Sequence, residues 1–276
     1  MFCLIDDTGK CITSLNGWPR PRKKSQWKEG RSALEFARFW TVTHPCGTVP
    51  PNYLDMLERG FPSIELNGGR PERPTSLPPK ESQGDRMHDL HLWGTWSSGS
   101  LTICVEAKAD EPFGKTIDEE WIEAKKTLVS KPTSLKKTRL EELLDCLWGV
   151  RHLTESLSGL RYQLLYALVG TAIQTLKDAE ETAESSCETG VLLIHVFETC
   201  LTERHKLEKN QRDLERFGHA LPNVTVPASG IVPGCLYGPA AVTVPADFAP
   251  SGRPTLVNVH LGKLVTTQTD KRSPKT

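Results

Sequence analysis

Two stretches near the middle of the chain, residues 88–94 and 101–108, alternate apolar and polar side chains with a period of two. Each predicts a β-strand, and residues 94–100 predict the turn of a hairpin between them. Successive strand side chains point to opposite faces. Leu101, Ile103, Val105 and Ala107 should therefore enter one core, while Thr102, Cys104, Glu106 and Lys108 share the other face. On the first strand Asp89 and His91 should share a face opposite Leu90 and Leu92, so a simple hairpin register would bring Asp89 beside Glu106.

The rest of the chain alternates between helical and strand periods. Residues 32–43 predict a helix that is apolar almost all round apart from Glu35 and Arg38, and 52–59 a second short one. Residues 117–129 predict a charged amphipathic helix, and 135–148 a helix with one stripe of Leu140, Leu143, Leu144 and Leu147. Residues 160–176 predict a buried helix in which Gln163 and Tyr166, three apart, fall on one face. The apolar run 190–198 predicts a strand buried on both faces, with His195 as a hydrogen-bonded core residue. A highly charged helix is expected at 202–219 and strand-like segments at 2–5, 240–244 and 255–261. Residues 67–86 are dense in Pro and Gly and predict a mobile loop ahead of the hairpin.

Strand, helix and strand in this order imply an α/β fold with a central mixed sheet flanked by helices. Three segments are expected: a basic arm over 1–30, an α/β domain over 31–220, and an extension over 221–276 with short strands and a disordered tail. No window holds eighteen apolar residues and the N-terminus has no basic, apolar leader, so a cytoplasmic protein without a membrane span is expected. Eight cysteines include no C-x-x-C pair, which argues against zinc knuckles and for free thiols in a reducing compartment.

The 34 basic and 34 acidic residues cancel, so any contact with nucleic acid must come from a local patch. The best candidate is Arg20, Arg22, Lys23 and Lys24, interleaved with Trp18 and Trp27, which suits phosphate contact and stacking. A solvated basic linker is the alternative. No G-x-S-x-G, H-E-x-x-H or G-x-G-x-x-G motif is present, and Gly114-Lys115-Thr116 lacks the first glycine of a phosphate-binding loop.

Two carboxylates beside an ammonium carry a definite chemistry. Asp89 and Glu106 supply the hard oxygens that Mg²⁺ prefers, and Lys108 can stabilise charge on a phosphoryl group. An ordinary edge hairpin with solvated ion pairs would need the same residues. Asp89 followed by Glu106-Ala107-Lys108 at the end of an apolar strand resembles the PD-(D/E)XK nuclease superfamily, with its restriction-endonuclease-like fold.

That resemblance implies a Mg²⁺-dependent nuclease, with Mn²⁺ as a substitute, acting on DNA ahead of RNA and related to restriction or defence. Asp89 and Glu106 would hold the metal, with the Ala107 carbonyl and Glu35 as further ligands. Lys108 would assist catalysis, and Gln163 and Tyr166 would position the phosphate or Lys108. His88 stands where the family often has Pro, and the Gln163/Tyr166 spacing is one shorter than in RecB-type nucleases. A catalytically inactive module of the same fold, binding nucleic acid or a protein partner, is the alternative. The partners expected are nucleic acid and a second copy or larger complex, with no membrane.

Overall fold

The computed structural model describes residues 2–21, 23–44, 47–80, 85–182 and 189–268. Its helices are α1 (Ser32–Arg38), continued by a π-type turn at Phe39–Thr43, α2 (Pro51–Glu58), α3 (Ile117–Ser130), α4 (Lys136–Trp148), α5 (Glu155–Ser158), α6 (Tyr162–Thr182) and α7 (Arg204–Ala220). Its strands are β1 (Glu65–Thr75), β2 (Arg86–Trp96), β3 (Gly99–Lys108), β4 (Thr189–Glu198), β5 (Cys235–Val244) and β6 (Thr255–Thr267). They form one six-stranded mixed sheet in the order β1-β2-β3-β4-β6-β5. The chain is thus α/β, with helices on both faces of the sheet.

β3 pairs parallel with β4, and β4 parallel with β6; the other neighbours are antiparallel. β4 is buried on both sides, as its continuous apolar run requires. Leu192 and Ile194 meet the core under α4, α6 and α7, whereas Val191, Leu193 and Phe197 meet Phe36, Trp40, Tyr53 and Met56 on the α1 and α2 side. His195 is a core residue. Tyr53 Oη lies 2.9 Å from its Nδ1 and Thr266 Oγ1 2.8 Å from its Nε2. Residues 221–276, set apart by sequence as an extension, supply β5 and β6 of this same sheet. Residues 269–276, expected as a disordered tail, lie outside the described residues.

The Pro- and Gly-dense segment expected as a mobile loop is instead mostly β1. It is an edge strand, the place in a sheet where prolines such as Pro71 and Pro74 are tolerated. Gly69 admits the close approach of neighbours, since a Cβ there would stand 2.5 Å from Leu92 and 2.7 Å from Leu4. Residues 81–84 of that segment lie outside the described residues. At the N-terminus the expected strand reduces to single bridges, Leu4 to Gly69 and Ile5 to Cys11. Cys3 and Cys11 are joined by a disulfide, contrary to the expectation of free thiols throughout. Cys104 and Cys146 are buried thiols. No helix among the described residues is long and apolar enough to cross a membrane.

A candidate acid–base cleft at the end of the hairpin

The hairpin turns on Ser97 and Ser98, with Trp96 opposite Gly99, and its ladder runs back to the rung Leu90–Val105. One rung further the backbone pairing stops. The next β3 amide, that of Ala107, donates instead to Asp89 Oδ2 at 2.6 Å. Asp89 thus replaces a main-chain acceptor and is fixed beside the start of the E-x-K segment.

The strict alternation expected for β2 breaks at this point. Arg86, His88 and His91 all turn toward α6: the Arg86 guanidinium lies 4.9 Å from the Tyr166 ring, His88 Nε2 would meet a Cβ on Gly170 at 3.3 Å, and His91 Nε2 lies 2.7 Å from Asp178 Oδ2. His88 and His91 are three apart, one off a period of two. The β1–β2 ladder misses the rung between Pro71–Leu90 and Arg73–His88, where Glu72 faces Asp89. Glu72 takes φ = 51°, a conformation that side-chain-bearing residues rarely adopt. Such local distortion costs free energy and concentrates at functional sites.

A cleft of about 580 Å³ opens at this kink, lined by Asp89, Glu106, Ala107, Lys108 and Gln163 together with Glu72 and Arg86. Glu106 is 3% exposed. Its Oε1 accepts from Lys108 Nζ at 2.5 Å and from the Gln163 amide, while its Oε2 pairs with the Arg86 guanidinium. Gln163 and Tyr166, on the first turns of α6, serve the two ends of one ion pair: Gln163 holds Glu106, and Tyr166 stacks on Arg86.

The electrostatics follow from burial. Lys108 is held below the usual lysine range by desolvation, which the charges of Asp89 and Glu111 only partly offset. Glu72 is pushed up to about 7, first by burial and then by the like charge of Asp89. His88 is pushed well below its ordinary value by burial and by the positive charge of Arg86. Burial, then the charge of Asp178, pushes the Cys104 thiol up, so Cys104 is a packed residue.

Glu35, expected as a further metal ligand, does not line the cleft. Its Oε1 accepts the Gly30 N–H at 2.8 Å and pairs with Arg38 at 3.3 Å, so the side chain is committed to the start of its own helix. The carboxylate that ties α1 to the site is Glu111. It accepts from Ser32 N at 3.1 Å and from Ala109 N at 2.8 Å. Of the expected basic patch, Lys23 borders the cleft, Arg20 stacks over Trp27 at 5.7 Å, and Lys24 is exposed outside it. Arg22 lies outside the described residues. Sequence reasoning missed Glu72, Arg86 and Glu111.

The donor set suits a hard cation. It consists of carboxylate oxygens with no thiolate or imidazole, and the repulsion between Glu72 and Asp89 is what a dication would relieve. Among the described residues, however, no three acidic, histidine or cysteine side chains are grouped as a preformed metal cage. The Arg86 guanidinium takes the side of Glu106 that an ion would need.

The molecule is therefore a mixed α/β domain with a buried acid–base cleft where β2 and β3 part. The chain belongs to the family described as a domain of unknown function, DUF6946, whose model matches residues 13–246. No curated protein and no solved structure matches it.

Proposed function

We propose that this cleft hydrolyses phosphodiester bonds in nucleic acid, DNA ahead of RNA, with Mg²⁺ and with Mn²⁺ as a substitute. The observation that carries the proposal is the meeting of Asp89, Glu106 and Lys108 at one strand end, with Lys108 Nζ 2.5 Å from Glu106. The restriction-endonuclease-like nucleases resembled by the motif place these residue types on adjacent strands of a mixed sheet. Asp89 and Glu106, with the Ala107 carbonyl, would hold the ion. When bound, it would supply an acidified water and neutralise charge on the phosphoryl group.

The remaining roles belong to the chain itself. Lys108, desolvated and close to both carboxylates, is placed to meet the charge that grows on the scissile phosphate. Gln163 keeps Glu106 oriented. Lys23 and Arg31 at the rim can meet backbone phosphates, a contact that salt would weaken. The test is cleavage of single-stranded DNA, duplex DNA and RNA with Mg²⁺, Mn²⁺ or EDTA, by the wild type and by Glu106→Ala. Metal-dependent cleavage that Glu106→Ala loses is expected; a pure, folded wild type inert on every substrate would defeat the proposal.

One observation favours a second reading, in which the cleft binds phosphate without cutting. The Arg86–Glu106 ion pair already neutralises the carboxylate that a dication would need. The same assay decides between them, because a binding module retains nucleic acid at low salt yet leaves it intact with either metal.

A further inference from the structure

The face of the sheet that carries Glu106 and Lys108 continues across β4 and β6. Glu106 lies in register with Ile194, and Ile194 with Lys263, so the three side chains share that face. Along β6 the same face sends Val257, Val259 and Leu261 into the core under α4, α6 and α7. The alternation calls for an apolar residue at the next position, and Lys263 stands there.

A cavity of about 880 Å³ opens over Lys263, between α7 and the carboxyl ends of β4 and β6. That volume suits a small organic ligand. Its walls include the apolar side chains of Phe113, Ile194, Val196, Leu207 and Leu214. Among the described residues it shares no lining with the cleft at Asp89; Phe113, whose ring centre lies 5.5 Å from Lys108 Nζ, stands between the two.

The Lys263 ammonium is poorly compensated where it stands. Its Nζ donates to Gln211 Oε1, a neutral acceptor. The nearby carboxylates are turned to other donors, Glu198 to Thr267 Oγ1 at 3.4 Å and Glu215 to Gln211 Nε2 at 2.7 Å, and neither forms an ion pair with Lys263 among the described residues. Burial accordingly holds Lys263 below the usual lysine range, an effect that Glu198 and Glu215 only partly offset. Lys263 nevertheless lines the cavity and stays partly exposed, so an anion entering there can reach it. The rim adds Arg204 and Arg212 against Glu198 and Glu208, which leaves the lining with an excess of positive charge.

We propose that this cavity binds a small amphiphilic monoanion, a carboxylate on an aliphatic or aromatic body. A charge taken from water is costly unless it is paired, and the ligand's head would supply the partner that Lys263 lacks. One ammonium with one neutral amide balances a single negative charge; a dianion would call for more donors and would meet Glu198 at the strand end. The body would cover the walls from Phe113 to Leu214, which water covers poorly. The chain's own residues 269–276 match neither requirement, since they carry Lys271, Arg272 and Lys275 and no large apolar side chain.

The site does not depend on the nuclease reading, and its test needs no cleavage. Octanoate, octan-1-ol and octylammonium are titrated calorimetrically into the wild type, Lys263→Met and Leu207→Glu, and the site is located from backbone amide shifts in NMR spectra. Both substituted residues are partly exposed, so both variants should fold. Saturable octanoate binding is expected, with octan-1-ol and octylammonium weaker by roughly tenfold or more. Lys263→Met keeps an apolar stem and should lose roughly tenfold or more in octanoate affinity, bringing octanoate down to the level of octan-1-ol. Leu207→Glu, which sets a like charge in the wall, should weaken octanoate as well. The amides of Leu207, Gln211 and Lys263 should shift. The proposal is overturned by absence of octanoate binding up to about 10 mM, by octan-1-ol or octylammonium binding as tightly as octanoate, by unchanged affinity in Lys263→Met, or by shifts at Ala107 and Lys108 without shifts at Leu207 and Lys263.

Discussion

Arg86 is the side chain on which the two readings of the cleft divide, and Arg86→Met separates them. Its side chain is 8% exposed, stacks on Tyr166 and pairs with Glu106, whose side chain is 3% exposed. Removing one partner of a buried ion pair leaves the other charge uncompensated, at a cost of roughly 3–5 kcal/mol. Lys108 and Gln163 still hold Glu106 Oε1, so the lower end applies, near 3 kcal/mol, or a fall in Tm of roughly 10 °C for a chain of this size. Met keeps an apolar stem over the Tyr166 ring, which separates the charge effect from lost packing. The same substitution releases Glu106 Oε2, so Mn²⁺ should bind about tenfold more tightly and return part of the lost stability by mass action. Urea unfolding of the wild type, Arg86→Met, Glu106→Gln and the double variant, each with and without Mn²⁺, reads both quantities. The cycle should show a coupling of roughly 2 kcal/mol or more. A loss below about 1 kcal/mol would refute the energetic worth assigned to the pair, and unchanged Mn²⁺ affinity would refute the idea that Arg86 stands in the ion's place.

Three further outcomes follow from the site and the core. Lys108→Ala should retain metal and nucleic-acid affinity while single-turnover cleavage slows roughly 10²- to 10³-fold, since its interaction strengthens mainly in the transition state; equal cleavage rates would make the E-x-K likeness accidental. Glu72, raised from 4.5 to about 7, keeps its proton in the folded chain while the unfolded chain loses it, so stability falls as pH rises through that window. Glu72→Gln should therefore be neutral near pH 4.5 and stabilising by up to roughly 3 kcal/mol at pH 8 in chemical unfolding without metal; a gain independent of pH would contradict this. His195, pushed down to about 3 by burial, stays neutral in the fold while the unfolded chain protonates near 6.5, so it draws stability down as pH falls between those values. Its NMR resonance should not titrate above about pH 4, and a midpoint near 6 would show that the core around it opens.

The parts of the fold that were legible in the sequence are those whose side-chain period reports burial directly. The hairpin, the doubly buried β4 and the α6 helix all follow from such patterns; the strands lie within about two residues of their expected bounds, while α6 runs on to Thr182, past the expected end at residue 176. β1 was not legible, because an edge strand tolerates Pro71 and Pro74 and so carries the composition of a loop. The place of β6 between β4 and β5 was not legible either. Its alternation of Val257, Val259 and Leu261 marks a strand, but the parallel pairing with β4 joins segments some sixty residues apart, and nothing local encodes it.

The candidate site divides along a similar line. Asp89, Glu106 and Lys108 could be placed together because a hairpin register is a local property, fixed once the turn is known. Gln163 and Tyr166 could be found because their spacing puts them on one helix face, and what unites them in the structure is the Arg86–Glu106 ion pair. Arg86 and Glu72 were hidden for a common reason. Both lie in the segment read as a loop, and both owe their positions to the broken rung at Asp89, where neither strand keeps the alternation from which sequence inference works. Glu35 misled in the opposite direction: its residue type and helix were right, yet Arg38 one turn on and the Gly30 amide offered it local partners that no contact across the cleft could match. A polar side chain goes to the partner that costs least chain entropy to reach. Glu106 shows the limit of that rule, because its local partner Lys108 is itself a cleft residue, and the pair therefore stays in the cleft together.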